Sequence, residues 1–194
     1  MAPHPAPLTL PINTQRLSLR DYTNADGPAL AAYACDPTYW EYQRSEAPTP
    51  QQIEGLLQMV VREQGSPTRL VYFLAAVRKD TGALIGEGVL KILNATDRQG
   101  EIGFGVAPRF SKQGFGFEIA NAILDTAFGH FKLHRVLAQC STENKGSLRI
   151  LQKLGMAREG ILRDVHFTRG KWWSTAVYSA LEHEYTKIKS LKTS

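Results

Sequence analysis

The sequence predicts an α+β fold: a mixed, mostly antiparallel sheet of six to seven strands with a central parallel pair, accompanied by four helices. Three observations point there. Residues 71–106 contain three apolar runs joined by short polar turns, the signature of an antiparallel meander. A whole helical pattern then separates the run ending at Val106 from the run holding Val136 and Leu137, a crossover long enough for those two strands to lie parallel. Two apolar runs flanking Gly170 close the chain as a hairpin.

Taken in order, the first seven residues hold three prolines and read as a tail, and residues 1–13 are expected to be flexible, ahead of a single domain over 14–194. RLSLR after Thr14 alternates Leu17 and Leu19 with polar neighbours, as a half-buried strand does. Asn24 or Asp26 can cap a short helix through Leu30 and Ala34, which Pro37 closes. Residues Thr38 to Pro48 carry three aromatics without a period and read as a loop. Thr49, Pro50 and Gln52 have the form of a capping box with proline where its missing donor costs nothing. Ile53, Leu56, Leu57, Val60 and Val61 mark the inward face of the helix that follows, stopped by Gly65 to Pro67.

The meander comprises VYFLAAVRK, ALIGEGVLKIL and GEIGFGVAP. A long helix runs from Phe117 to Phe128, HRVLAQCS is a buried strand, and Asn144 caps a last helix that Gly155 ends. The hairpin ILRDVHFTR and KWWSTAVYSAL completes the order β-α-α-β-β-β-α-β-α-β-β.

A net charge of +5 favours an anionic partner, but the basic residues are scattered, so nucleic acid is not expected and a phosphorylated cofactor is compatible. Cys35 and Cys140 have no metal spacing and form no disulfide framework, which suits reduced thiols in the cytoplasm; no metal is expected. The start of the chain lacks the pattern of a signal peptide, and no apolar run approaches the ~20 residues of a membrane span.

Chemistry concentrates in Glu101 to Glu118, EIGFGVAPRFSKQGFGFE, which reads as strand, glycine loop and helix. Glycines there let backbone approach a ligand, and the first amides of the helix are unpaired and partly positive, a natural seat for phosphate.

This segment, continued as IANAILDTAF and followed by LHRVLAQCSTENKGSLRILQKLGMAREGILRD, resembles the GNAT acyltransferases. Within them it is most similar to the ribosomal-protein-alanine N-acetyltransferase-like (RimJ/RimL-like) branch, over nearly the whole chain from about Thr14 to Tyr185. The resemblance implies acetyl-coenzyme A as acyl donor and a primary amine as acceptor. The family's diphosphate loop, Q/R-x-x-G-x-G/A, corresponds to Ser111, Lys112, Gln113, Gly114, Phe115 and Gly116, with Ser111 departing from the usual Gln or Arg. Backbone amides still supply most phosphate bonds, and Lys112 can replace the lost side-chain contact.

The resemblance further implies that the pantetheine arm lies where two parallel strands splay, between Phe104, Gly105 and Val106 on one side and Leu137 to Cys140 on the other. Main-chain donors of the first strand would hold the thioester carbonyl, and Asn144 would contact the pantetheine. Glu101 is the candidate general base. Many family members protonate the departing thiolate with a tyrosine, aligned here with Leu151; Ser147, one turn beyond Asn144, is the candidate donor instead. Cys140 sits in an apolar strand without a neighbouring base and reads as packing.

For the acceptor, the resemblance points to a groove between Tyr39 to Glu46 and His166 to Trp173, walled by Trp40, Tyr42 and Trp172, with Trp173 close by. Ser174 replaces an acidic residue usual in the branch, so no acceptor preference transfers. Direct attack by a protein or peptide N-terminal α-amine is the leading expectation. Acetylation of a small amine such as an antibiotic or polyamine, and a non-catalytic acyl-CoA-binding module, are the alternatives. The apolar final strands leave room for a homodimer.

Overall fold

Local signals start and stop most elements. Thr49 and Gln52 bond reciprocally, the Gln52 amide to Thr49 Oγ1 at 3.3 Å and the Thr49 amide to Gln52 Oε1 at 2.8 Å, so one helix begins at Pro50 as its capping box requires. Asn144 Oδ1 accepts from the Ser147 amide at 2.9 Å and opens another. The computed structural model describes residues 7–193. Its order is β1 (Ile12–Asn13), β2 (Leu17–Asp21), α1 (Gly27–Ala34), α2 (Pro50–Glu63), β3 (Val71–Arg78), β4 (Leu84–Asn94), β5 (Gln99–Val106), α3 (Phe115–Gly129), β6 (Arg135–Ser141), α4 (Lys145–Lys153), β7 (Ala157–Thr168), β8 (Lys171–Leu181) and α5 (Glu182–Thr193).

One eight-stranded sheet runs β1-β2-β3-β4-β5-β6-β8-β7. Only β5 and β6 pair in parallel, as the long crossover through α3 requires. The expected α+β class holds, with two additions. Eight strands rather than six to seven arise because β1, two residues long, is too short to show a period of two. The fifth helix, α5, carries a mostly charged and polar sequence with little apolar stripe to betray it. Of the stretch expected as a tail, residues 1–6 lie outside the described residues. Leu8, Leu10 and Ile12 instead pack against the core, and Ile12 pairs with Leu19, so ordered structure begins before Thr14.

The sheet separates two apolar layers. Under α3 and α4 lie Leu90, Ile119, Ile123 and Leu151, none more than 1 % exposed. Under α1 and α2 lie Tyr22, Tyr33, Ile53, Leu57 and Ala75. In α2 the buried stripe is Ile53, Leu57 and Val60, while Leu56, expected inward, falls on its flank and is 43 % exposed. Gly88 lets α3 sit directly on β4, because a Cβ there would come within 2.9 Å of Ile123 Cδ1. Among the described residues no helix is long and apolar enough to cross a membrane.

Candidate active site

The β5–β6 ladder is short. It joins Gln99, Gly100 and Glu101 to Arg135, Val136 and Leu137 and then stops, although both strands continue. Past Glu101, main-chain groups of β5 on that side have no ladder partner on β6, which leaves a gap inside an otherwise continuous sheet. A cavity of about 240 Å³ occupies it. Its lining comes from both faces: Phe104, Ala138, Cys140, Asn144, Ser147 and Leu151 on the α3 and α4 side, and Tyr42, Phe73, Glu87, Lys91, Glu101 and Gln139 on the α1 and α2 side. The cavity therefore passes through the sheet, so two reactants can enter from opposite faces and meet in the gap.

On the α4 side, Asn144 and Ser147 stand one helical turn apart, both half-buried, with Asn144 also serving as the helix cap. The Cys140 thiol is pushed up to about 11 by burial, so it is protonated at neutral pH and is no nucleophile.

On the other side, Glu101 accepts from Gln139 Nε2 at 3.4 Å and lies 3.8 Å from Lys91 Nζ. Nothing in the sequence marks Glu87, one acidic residue in a run that reads as a buried strand. It accepts from the Tyr39 hydroxyl at 3.0 Å, and burial pushes its carboxyl above the usual range although the Tyr39 bond pulls the other way. It pairs in register with Gly105, where an added Cβ would come within 2.0 Å of the Tyr39 hydroxyl oxygen. Gly105 is thus the glycine that gives Tyr39 room to reach Glu87.

The loop expected to hold diphosphate follows a 3₁₀ turn at Pro108–Phe110. Ser111, Lys112, Gln113 and Gly114 are exposed and lie outside the lining of the cavity, as do Gly105 and Val106. Gly114 caps α3 with φ of 85°, a left-handed conformation suited to glycine, and α3 starts at Phe115, two residues earlier than the periodicity suggests. The first amides of α3, those of Phe115, Gly116 and Phe117, have no carbonyl a turn behind them. The Phe115 ring is buried, with the Arg16 guanidinium 4.2 Å from its centroid, and Arg16 Nη1 also donates to the Gln113 carbonyl at 3.0 Å. Gly116 serves helix packing, since a Cβ there would be 3.0 Å from Ile150 Cδ1 of α4.

Of the three aromatics expected to wall the acceptor groove, Tyr42 lines the cavity. Trp40 turns away, donating its indole N–H to the Ala34 carbonyl and packing edge-on to Tyr39, where it lines a neighbouring cavity of about 180 Å³. Trp172 is not brought to the site: it is 58 % exposed near the hairpin turn, its ring against Phe167. The hairpin reaches the site by another residue. Arg169 donates to the carbonyls of Trp40, Glu41 and Gln43 at 2.7, 3.0 and 2.9 Å, and so fastens the segment that carries Tyr42 over the cavity. Among the described residues no cluster of His, Cys, Asp and Glu is placed to hold a metal ion.

The family model described as "Acetyltransferase (GNAT) domain" matches residues 16–157. The chain is 28 % identical over 174 residues to the uncharacterized N-acetyltransferase YnaD of Bacillus subtilis (strain 168), covering 90 % of this chain and 98 % of that one. Among solved structures, the spermidine N-acetyltransferase of Vibrio cholerae, in complex with CoA and spermine, superposes with a TM-score of 0.78 at 20 % identity, over 89 % of this chain and 99 % of that one. The ribosomal-protein-S5-alanine acetyltransferase of Vibrio fischeri gives 0.76 at 18 % identity, over 91 % and 99 %.

Proposed function

The chain belongs to the GNAT acetyltransferases, and from that premise we propose that it acetylates a protein or peptide N-terminal α-amine in the manner of the RimJ/RimL-like branch, as a single cytoplasmic domain over 14–194 onto which Leu8, Leu10 and Ile12 also pack. N-acetyl transfer from acetyl-CoA to an amine is the activity of the family. The observation that supports acetyl transfer at this site is the cavity in the sheet gap, with Glu101 on one face and Asn144 and Ser147 on the other, while the peptide α-amine as acceptor rests on the resemblance to the RimJ/RimL-like branch.

The residues fit the donor. The partnerless edge of β5 at Phe104, Gly105 and Val106 offers main-chain donors to a thioester carbonyl. Asn144 and Ser147 border the path of a pantetheine arm. The amides behind Gly114, with Ser111, Lys112, Gln113, Phe115 and Gly116 around them, suit a diphosphate. Acetyl-CoA supplies an acyl carbon activated as a thioester. Glu101 takes up the acceptor's proton, and since Gly105 lies four residues along the strand, about 13 Å at strand rise, water relays it. The Ser147 hydroxyl donates to the leaving thiolate.

Tyr42 and Trp40 belong to the acceptor side in this reading, and Trp172 has no part in it. A small amine is the second reading, because the fold is shared with an enzyme named for spermidine as well as one named for a ribosomal protein. The test is free-thiol release from acetyl-CoA with a panel of N-terminal peptides and small amines, with acetylated products identified by mass. Peptide turnover that falls at least 10-fold in Ser147→Ala supports the proposal. Turnover of small amines alone would move the assignment to them, and tight CoA binding without turnover would make the chain an acyl-CoA-binding module.

A further inference from the structure

The cavity of about 180 Å³ beside the active site lies between α1, α2 and the sheet. It shares Phe73 and Glu87 with the cavity in the sheet gap, so the two adjoin at a carboxylate. Its walls are Leu30, Ile53, Leu57 and Val60, with Tyr22 and Tyr33 among them. Three features are out of place in a layer built only for packing. Glu87 is half-buried, the surface it keeps faces the two cavities, and among the described residues no cation pairs with it; the Tyr39 hydroxyl is its hydrogen-bond partner. The Tyr22 and Tyr33 hydroxyls, on residues 4 % and 5 % exposed, lie near each other, and among the described residues neither bonds to any other group. The space itself exceeds the roughly 150 Å³ that holds a benzene molecule in an apolar protein interior.

We propose that this second cavity seats an apolar group of the acceptor, aromatic or branched aliphatic and about one ring in size, while Glu87 at the junction holds the acceptor's ammonium. The inference rests on reading the sheet gap as the acetyl-transfer site and names the acceptor class for it. Register supplies the geometry: Glu87 stands opposite Gly105, so the strand that carries it lies one strand spacing, about 5 Å, from the strand that offers its donors to the thioester. An ammonium there supplies the missing cation, and a ring behind it fills the space beside the two tyrosines. A cation bound there offsets the burial that raises the Glu87 carboxyl. An N-terminal phenylalanine, tyrosine or leucine, or a small arylalkylamine, meets both demands; a polyamine meets only the first.

The experiment measures binding of L-phenylalaninamide, L-leucinamide, glycinamide and spermidine to the full chain by calorimetry, alongside acetylation of each with acetyl-CoA. The two apolar amides should bind about 10- to 30-fold more tightly than glycinamide, the worth of one buried side chain. Leu56→Trp, at an exposed lining position on α2 where folding is little disturbed, should block the mouth and abolish that preference. Glu87→Gln should weaken all the primary amines about 30-fold or more and leave the preference among them intact. Equal affinity for phenylalaninamide and glycinamide, no binding by the aromatic amide, tighter binding of spermidine, or indifference to Leu56→Trp would each overturn the inference. Selective binding without acetylation would leave it standing and sink the acetyl-transfer reading instead; acetylation without selectivity would do the reverse.

Discussion

Two carboxylates line the α1 and α2 side of the cavity, and their surroundings differ. Glu101 is bordered by Lys91 at 3.8 Å and Gln139 at 3.4 Å, so its charge is balanced by the protein. Glu87 lies one strand over, on the same face, with the Tyr39 hydroxyl as its hydrogen-bond partner and, among the described residues, no cation paired with it. The difference teaches that residue type does not assign a role. A carboxylate compensated by the protein can pass a proton to water at little cost, whereas an uncompensated one is stabilised by a cation that arrives with the substrate.

The sharpest test of that contrast is the pair of glutamine variants. Glu101→Gln should lower kcat by about 100-fold or more and leave the Kd of the amine nearly unchanged. Glu87→Gln should do the opposite, raising KM and Kd about 30-fold with a smaller effect on kcat. If the two variants shift the same constant, the division of labour fails.

A second prediction concerns stability. Because the folded-state value of Glu87 is raised, the folded chain binds its proton more readily than the unfolded chain does, so the residue favours folding in acid and opposes it as pH rises past the ordinary value of 4.5. Glu87→Gln should therefore raise Tm near neutral pH, by about 2–4 °C if 1 kcal/mol is recovered, and lose that advantage below about pH 4. Thermal scans at pH 7.5 and pH 3.5 give the comparison.

Gly105→Ala carries a smaller effect. Its methyl group would displace the Tyr39 hydroxyl from Glu87, costing about 1–3 kcal/mol of stability by overpacking and weakening amine binding several-fold, measurable by denaturant titration and calorimetry. The smallest effect should come from Arg169→Ala, which unfastens the segment of Tyr42 and should raise the amine KM a few-fold with Tm nearly constant.

The legible parts of this molecule are those whose causes are local. The Thr49–Gln52 box, the Asn144 cap and the glycine end at Gly155 each act within a few residues. The α4 side of the cavity is assembled from one contiguous stretch, β5 through α4, and the sheet gap lies between β5 and β6. The α1 and α2 side is built from long-range meetings. Tyr39 reaches Glu87 across 48 positions and Arg169 reaches Trp40 across 129, and no periodicity in either segment announces the contact. Trp40 and Trp172 drew attention as large aromatics, yet one is turned by its indole bond to Ala34 and the other is carried to the far end of a hairpin. Glu87 escaped notice because a single acid in an apolar strand gives no sign of which face it takes or what stands opposite. Leu56 misled because it sits at helical spacing on the edge of the stripe rather than within it.

The central claim is that donor and acceptor meet inside the gap between β5 and β6. A structure of the chain with coenzyme A tests it most directly. The sulfur should lie in the gap beside Phe104 to Val106, with Ser147 in hydrogen-bond reach, the arm passing Asn144 and the diphosphate on the amides that follow Gly114. Coenzyme A bound elsewhere, for instance in the broad cleft lined by Arg16, Asn121 and Lys153, with the gap left empty, would contradict it.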